Sequence, residues 1–167
     1  MSVRPILLLG DPDLYLPSAP VAEEEIRGLD LLIRDLRDTL VDFRSRWGSG
    51  KAISAPQIGV RKRVVYILSP VSAVFINPVI EPAGTKVEVW ENCLSFPGLF
   101  VRVSRYAVCG LAYRDSDWRP RSAVVTGEMS VIMQHECDHL DGILAVARAA
   151  DGESFSLIPP RGWPRRP

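Results

Sequence analysis

The only two histidines of this chain, His135 and His139, stand four residues apart with Glu136 beside the first, in the run Met133-Gln134-His135-Glu136-Cys137-Asp138-His139-Leu140. On a helix, residues four apart share a face and bring their side chains close together. Two imidazoles so placed converge on one metal ion, and the adjacent glutamate reaches a water on that ion. The alternative is a helix carrying two incidental surface histidines. A catalytic site of this kind uses three protein ligands and keeps one position for water, so the helix must meet a third ligand from elsewhere in the fold. Downstream stand Asp141, Asp151 and Glu153 but no histidine. Upstream, Glu91-Asn92-Cys93-Leu94-Ser95 offers a thiol at a strand end before a turn, and a thiolate is a strong ligand for Zn(II) or Fe(II). By residue type alone a lone cysteine is more often a small buried core residue, and Cys109 and Cys137 are read that way.

The rest of the chain predicts the frame that such a helix needs. Ile26, Leu29, Leu32, Ile33, Leu36, Leu40, Phe43 and Trp47 recur at three- and four-residue steps. That pattern makes a long N-terminal helix with one apolar face. Glu23, Glu24 and Glu25 fall in its first turn, where the helix dipole favours them, and Gly48 and Gly50 end it. Strand-like stretches follow at 63–68, 73–76, 85–90, 101–103 and 106–113. Residues 115–120 read as a turn-rich loop. The second helix is expected over 128–140, with Thr126 as N-cap and Asp141-Gly142 as its stop. Helix, strands, then helix give an α+β fold. It is read as a single domain, with antiparallel or mixed sheets around a buried C-terminal helix carrying the His-Glu-x-x-His motif. The expected division is a catalytic domain over 1–150 and a short tail over 151–167, basic and proline-rich from Arg161 on.

Composition narrows the partners. Twenty Lys and Arg balance twenty Asp and Glu, so no basic field calls for nucleic acid or an anionic membrane. Three cysteines make no secreted disulfide framework, and a reducing, cytoplasmic setting is the simpler reading, an organelle the weaker one. The apolar run Ile6-Leu7-Leu8-Leu9 is too short for a signal or a membrane span.

Three segments, in order, resemble the peptide deformylase family. They are Ile53-Ser54-Ala55-Pro56-Gln57-Ile58-Gly59, Glu91-Asn92-Cys93-Leu94-Ser95, and Gln134 to Leu140. Asp11-Pro12-Asp13-Leu14, Pro20-Val21 and Ile76-Asn77-Pro78 add to the likeness, which covers roughly residues 4–148. The resemblance implies hydrolysis of the formyl group from the N-terminal methionine of new polypeptides. It implies one divalent ion on Cys93, His135 and His139, with Fe(II) the physiological option and Zn(II) or Ni(II) able to substitute. Glu136 would be the general acid/base, and Gln57 and the Leu94 backbone N–H the oxyanion donors. Gly50, Lys51, Ala52, Glu91 and Phe100 fall at substrate-facing positions, and the partner is an N-formylated peptide or nascent-chain N-terminus.

The departures from the family pattern cluster on the substrate side. Ala52 replaces a glycine in a segment that, by resemblance, pairs with the substrate backbone as an added strand. It crowds the peptide or, if φ is negative, changes little. Lys51 takes a usually apolar position by the methionine pocket and either snorkels outward or alters side-chain preference. Ser54 adds a hydroxyl to a tight segment. Asn92 replaces the glycine before Cys93, a tolerable exchange if that position needs φ > 0. Phe100 stands where many members carry Arg. Glu91 and Asp138 orient a ligand or form surface ion pairs with Arg102 or Arg105. These departures keep a second reading open, a deformylase-like metallohydrolase acting on another N-formylated substrate. A His-Glu-x-x-His peptidase and a non-catalytic binding relative are the remaining alternatives. The first is opposed by the missing downstream histidine. The second is opposed by the intact ligands and glutamate.

Overall fold

The computed structural model describes residues 2–68 and 72–161. Residues 162–167, which carry most of the basic proline-rich tail, lie outside the described residues.

The predicted N-terminal helix is α1, Leu29–Trp47. Its acidic lead-in, Glu23–Gly28, is a tighter 3-10 turn rather than the first turn of the α-helix. Gly48, in the left-handed region at φ 66°, closes α1 by donating its N–H to the Arg44 carbonyl. The sheet follows: β1 Ala52–Ser54, β2 Val64–Ile67, β3 Ala73–Asn92, β4 Phe100–Arg114 and β5 Pro120–Thr126. The second long helix is α2, Gly127–Leu140, and β6, Phe155–Ser156, returns to β4.

The strands form one sheet in the order β1-β2-β3-β4-β5, each neighbouring pair antiparallel. Expectation and structure differ in continuity. The separate strand-like runs at 73–76 and 85–90 are one strand, and so are those at 101–103 and 106–113. Irregularities absorb the breakers. The β3–β4 register shifts between Ile76 and Val79, where Asn77 has φ 50°, and again between Ala83 and Lys86 around Gly84. β5, not foreseen, begins at Pro120 on the sheet edge, where a residue without an N–H is tolerated.

Alternation along the strands builds two apolar layers. Val64, Tyr66 and Ile76 join Leu36, Leu40 and Phe43 of α1 in one core. Val65, Ile67 and Phe75 join Met133, Cys137 and Leu140 of α2 in the other. Helix α2 is also pinned by polar bonds. The Gln134 side-chain amide accepts from Tyr106 N (3.0 Å) and donates to Tyr106 O (2.9 Å). Ser130 Oγ donates to the same carbonyl at 2.9 Å. These bonds fix the rotation of α2, and so the direction in which His135 and His139 point. Among the described residues no helix is long and apolar enough to cross a membrane.

Candidate metal centre

Three elements meet at one point. Helix α2 delivers His135 and His139, the turn after β3 delivers Cys93, and the short turn Ala55–Ile58 after β1 delivers Gln57. Cys93 Sγ lies 3.1 Å from His139 Nε2, which lies 3.2 Å from His135 Nε2. The three ligand atoms are all within 4.8 Å of one another, and all three residues are buried. Metal–nitrogen and metal–sulfur bonds of about 2.0–2.3 Å in a tetrahedral arrangement put neighbouring ligand atoms roughly 3.3–3.6 Å apart. The cradle therefore fits a divalent ion. Without a cation the two facing ring nitrogens would compete for a proton. Burial lowers His135, but Glu91 and Cys93 outweigh it and raise that imidazole well above its ordinary value. Burial and the neighbouring His135 push His139 well below.

The surroundings hold the ligands in place. Glu91 Oε2 lies 2.8 Å from His135 Nδ1, the carboxylate–histidine contact that fixes ring orientation in metal sites. Arg105 grips Glu91 through Nε (2.8 Å) and Nη2 (3.0 Å) and reaches Asp138 Oδ2 through Nη1 (2.6 Å). Arg148 closes the chain on Asp138 Oδ1 at 2.7 Å. Burial alone would raise the Glu91 carboxyl, but His135 and Arg105 outweigh it and hold it at about 2. Glu91 therefore spends its carboxylate on the imidazole and the guanidinium while it also lines the floor of the cleft. Of the two candidate arginines, Arg105 serves both carboxylates, while Arg102 pairs with Asp151. Arg148 was not singled out by the sequence; its pairing depends on the turn after α2.

Glu136 is buried beside the ligands, with Oε2 accepting from Ser54 Oγ at 2.7 Å. Burial holds its carboxyl above the ordinary value, against the pull of His135 and of the Ser54 hydrogen bond. The hydroxyl that looked like an intrusion at position 54 is thus spent on Glu136 and on Gln57 Oε1 (3.2 Å). Gln57 is locked at both ends. Its Oε1 accepts from Ser54 N at 3.0 Å, and its Nε2 faces Ser95 Oγ at 3.2 Å and Cys93 Sγ at 3.4 Å. Leu94, next to the thiol, is buried and lines the same cleft.

The cleft above these groups is about 840 Å³. Gly50, Lys51, Ala52, Gln57, Leu94, His135 and Glu136 all line it. Ala52 does not have a positive φ, and β1 accommodates its methyl group. Lys51 turns outward to an ion pair with Glu128. Asn92 is no left-handed position either; it ends β3 opposite Phe100, and the positive φ of this turn falls on Gly98. Phe100 is not among the lining residues. It is 6% exposed and heads β4 between Asn92 and Ser156.

Residues 3–154 match the sequence model of the polypeptide deformylase family. The peptide deformylase of Leptospira biflexa is 35% identical over 170 residues, spanning 93% of this chain and 92% of the relative. The crystal structure of a Synechococcus elongatus peptide deformylase in complex with actinonin superposes with a TM-score of 0.81 at 34% identity, covering 89% of this chain and 80% of that one. A Met-Ala-Ser-bound class I type b peptide deformylase from Acinetobacter baumannii gives 0.81 at 31% identity, covering 89% and 99%. This chain belongs to the peptide deformylase family, the metal-dependent hydrolases that remove the N-formyl group from nascent polypeptides.

Proposed function

We propose that Cys93, His135 and His139 hold one divalent ion and that Glu136 is the general acid/base for formyl hydrolysis at the N-terminal methionine of a peptide. The observation that carries this reading is the convergence of three buried ligand atoms within 4.8 Å beside a buried glutamate at the floor of a cleft. A bound divalent ion supplies Lewis acidity, which makes water a nucleophile near neutral pH. Fe(II) is the proposed physiological ion, with Zn(II) or Ni(II) as substitutes, since a thiolate with two imidazoles suits each.

The protein's own groups account for the rest. Ser54 occupies Glu136 Oε2, which leaves Oε1 to take a proton from the attacking water and return it to the leaving amine. Gln57 Nε2 and the Leu94 backbone N–H are the donors for the negative charge that develops on the formyl oxygen. β1 is an outer strand of the sheet, so the substrate backbone adds alongside Gly50, Lys51 and Ala52. The methionine side chain enters the apolar part of the cleft beside Leu94, Val131 and Ile132. Catalytic function is assigned to a domain of residues 1–150, working in the cytoplasm, with 151–167 as a tail that docks on β4 through Phe155 and Ser156.

The test is formate release by metal-loaded protein. Formyl-Met-Ala-Ser should be hydrolysed at least tenfold more efficiently than small formylated amines. Activity on the small amines without activity on the peptide would overturn the substrate assignment.

A further inference from the structure

The mouth of the cleft is cationic although the chain as a whole is neutral. Arg44 from α1, Lys51 ahead of β1 and Arg161 from the C-terminal segment all line it, and all three are exposed. The lining carboxylates are Glu91, Glu136 and Glu128. The first two are buried at the floor, and Glu91 is already bound to Arg105 and His135. Only Glu128 stands at the rim, with 69% of its side chain exposed, and it is paired with Lys51, 49% exposed. Among the described residues neither Arg44 nor Arg161 has an ion-pair partner. Three cations against one carboxylate leave a surplus of two positive charges around the opening. Its volume of about 840 Å³ lies in the upper part of the range for binding clefts, roughly 300–1,000 Å³, so it admits more than one side chain.

We propose that this rim makes the enzyme select N-formylmethionyl chains with Asp or Glu among the two residues after methionine. The inference rests on the deformylation reading above and names the sequence that follows the formylated residue. An extended peptide laid along β1 points its second and third side chains to opposite faces, so one of the two passes the rim, where the cations meet it. Attraction there raises the capture rate and is screened by salt. Each exposed charge contact is worth roughly 1.4- to fivefold. Because lysine at the same position is repelled, the Asp-to-Lys ratio should reach about tenfold.

The experiment compares kcat/KM of the metal-loaded enzyme for formyl-Met-X-Ala-amide and formyl-Met-Ala-X-amide, with X as Asp, Ser or Lys. The C-terminal amide removes the competing carboxylate. In about 20 mM salt the better series should favour Asp over Lys by about tenfold, and in about 500 mM salt by less than about twofold. The double variant Arg44→Gln, Arg161→Gln should cut the low-salt ratio at least threefold. Glu128→Gln should raise it about twofold by releasing Lys51. These two variants move the ratio in opposite directions, which a general loss of folding does not do. An Asp-to-Lys ratio of one or less at low salt overturns the proposal. So does a ratio indifferent to salt and to both variants. Formate from none of the peptides would instead overturn the deformylation reading itself.

Discussion

Arg105→Met tests whether the charged network behind His135 is structural. The Arg105 guanidinium makes three bonds of 2.6–3.0 Å to Glu91 and Asp138, and its side chain is 5% exposed. Methionine fills much of the arginine stem's volume, so the perturbation is mainly the removal of charge. Glu91 then keeps only His135, and Asp138 keeps only Arg148. Removing one partner of a buried pair strands the other charge and costs about 3–5 kcal/mol. For a chain of this size each kcal/mol moves Tm by about 2–4 °C, so the expected fall is roughly 6–20 °C. Urea unfolding and scanning calorimetry of the metal-loaded protein measure it. The exposed Asp115–Arg121 pair is the control, and Arg121→Gln should cost less than about 1 kcal/mol. Adding Glu91→Gln to Arg105→Met should recover at least about 1 kcal/mol, because a stranded charge disappears. An Arg105→Met protein within about 1 kcal/mol of the parent would refute the reasoning. A double variant that is simply additive would do the same.

Other consequences are open to direct measurement. Asp138→Asn loosens Arg105 and with it Glu91 and His135, so bound metal per chain after dialysis should fall; unchanged metal content would remove Asp138 from the site. Ser54→Ala leaves Glu136 Oε2 without its 2.7 Å donor and should cost about 1–3 kcal/mol in urea unfolding, a buried acceptor being costly to leave unpaired. Gly50→Ala imposes a side chain at φ 119° with its Cβ 3.2 Å from Leu40 and 3.3 Å from Phe43, and should destabilise by about 1–3 kcal/mol; an unfolding midpoint equal to the parent's would contradict the strain.

The legible and illegible parts of this molecule divide by physical cause. The face of α1 repeats every three or four residues and the histidines of α2 repeat after four, so local periodicity reveals both helices. Cys93 and Glu136 stood out as candidates because metal chemistry admits few residue types. β3 looked like fragments because Pro78, Pro82 and Gly84 are strand breakers, and β4 because Ser104 and Arg105 interrupt its apolar run; the register shifts between Ile76 and Val79 and between Ala83 and Lys86 show how Pro78 and Gly84 are carried. β5 was missed because most of its residues are exposed and leave no alternating pattern. The Ser54–Glu136 and Arg105–Asp138 bonds join residues 82 and 33 positions apart, contacts that no local pattern encodes. Whether position 92 needs a positive φ was left open by its place before Cys93; pairing with Phe100 keeps Asn92 in β3 and defers the positive φ to Gly98. Lys51, suspect by its position, pairs with Glu128 at the rim of the cleft.

The central claim is that three buried ligands position a divalent ion for a reaction in which Glu136 moves the proton. Glu136→Gln tests it most directly, because the amide fills the same volume without accepting a proton. Metal per chain and formate release from formyl-Met-Ala-Ser are measured on the same preparation. The account predicts one ion per chain, as in the parent, and a kcat lower by about 10²–10⁴. A Glu136→Gln protein that keeps its ion and works within tenfold of the parent would contradict it.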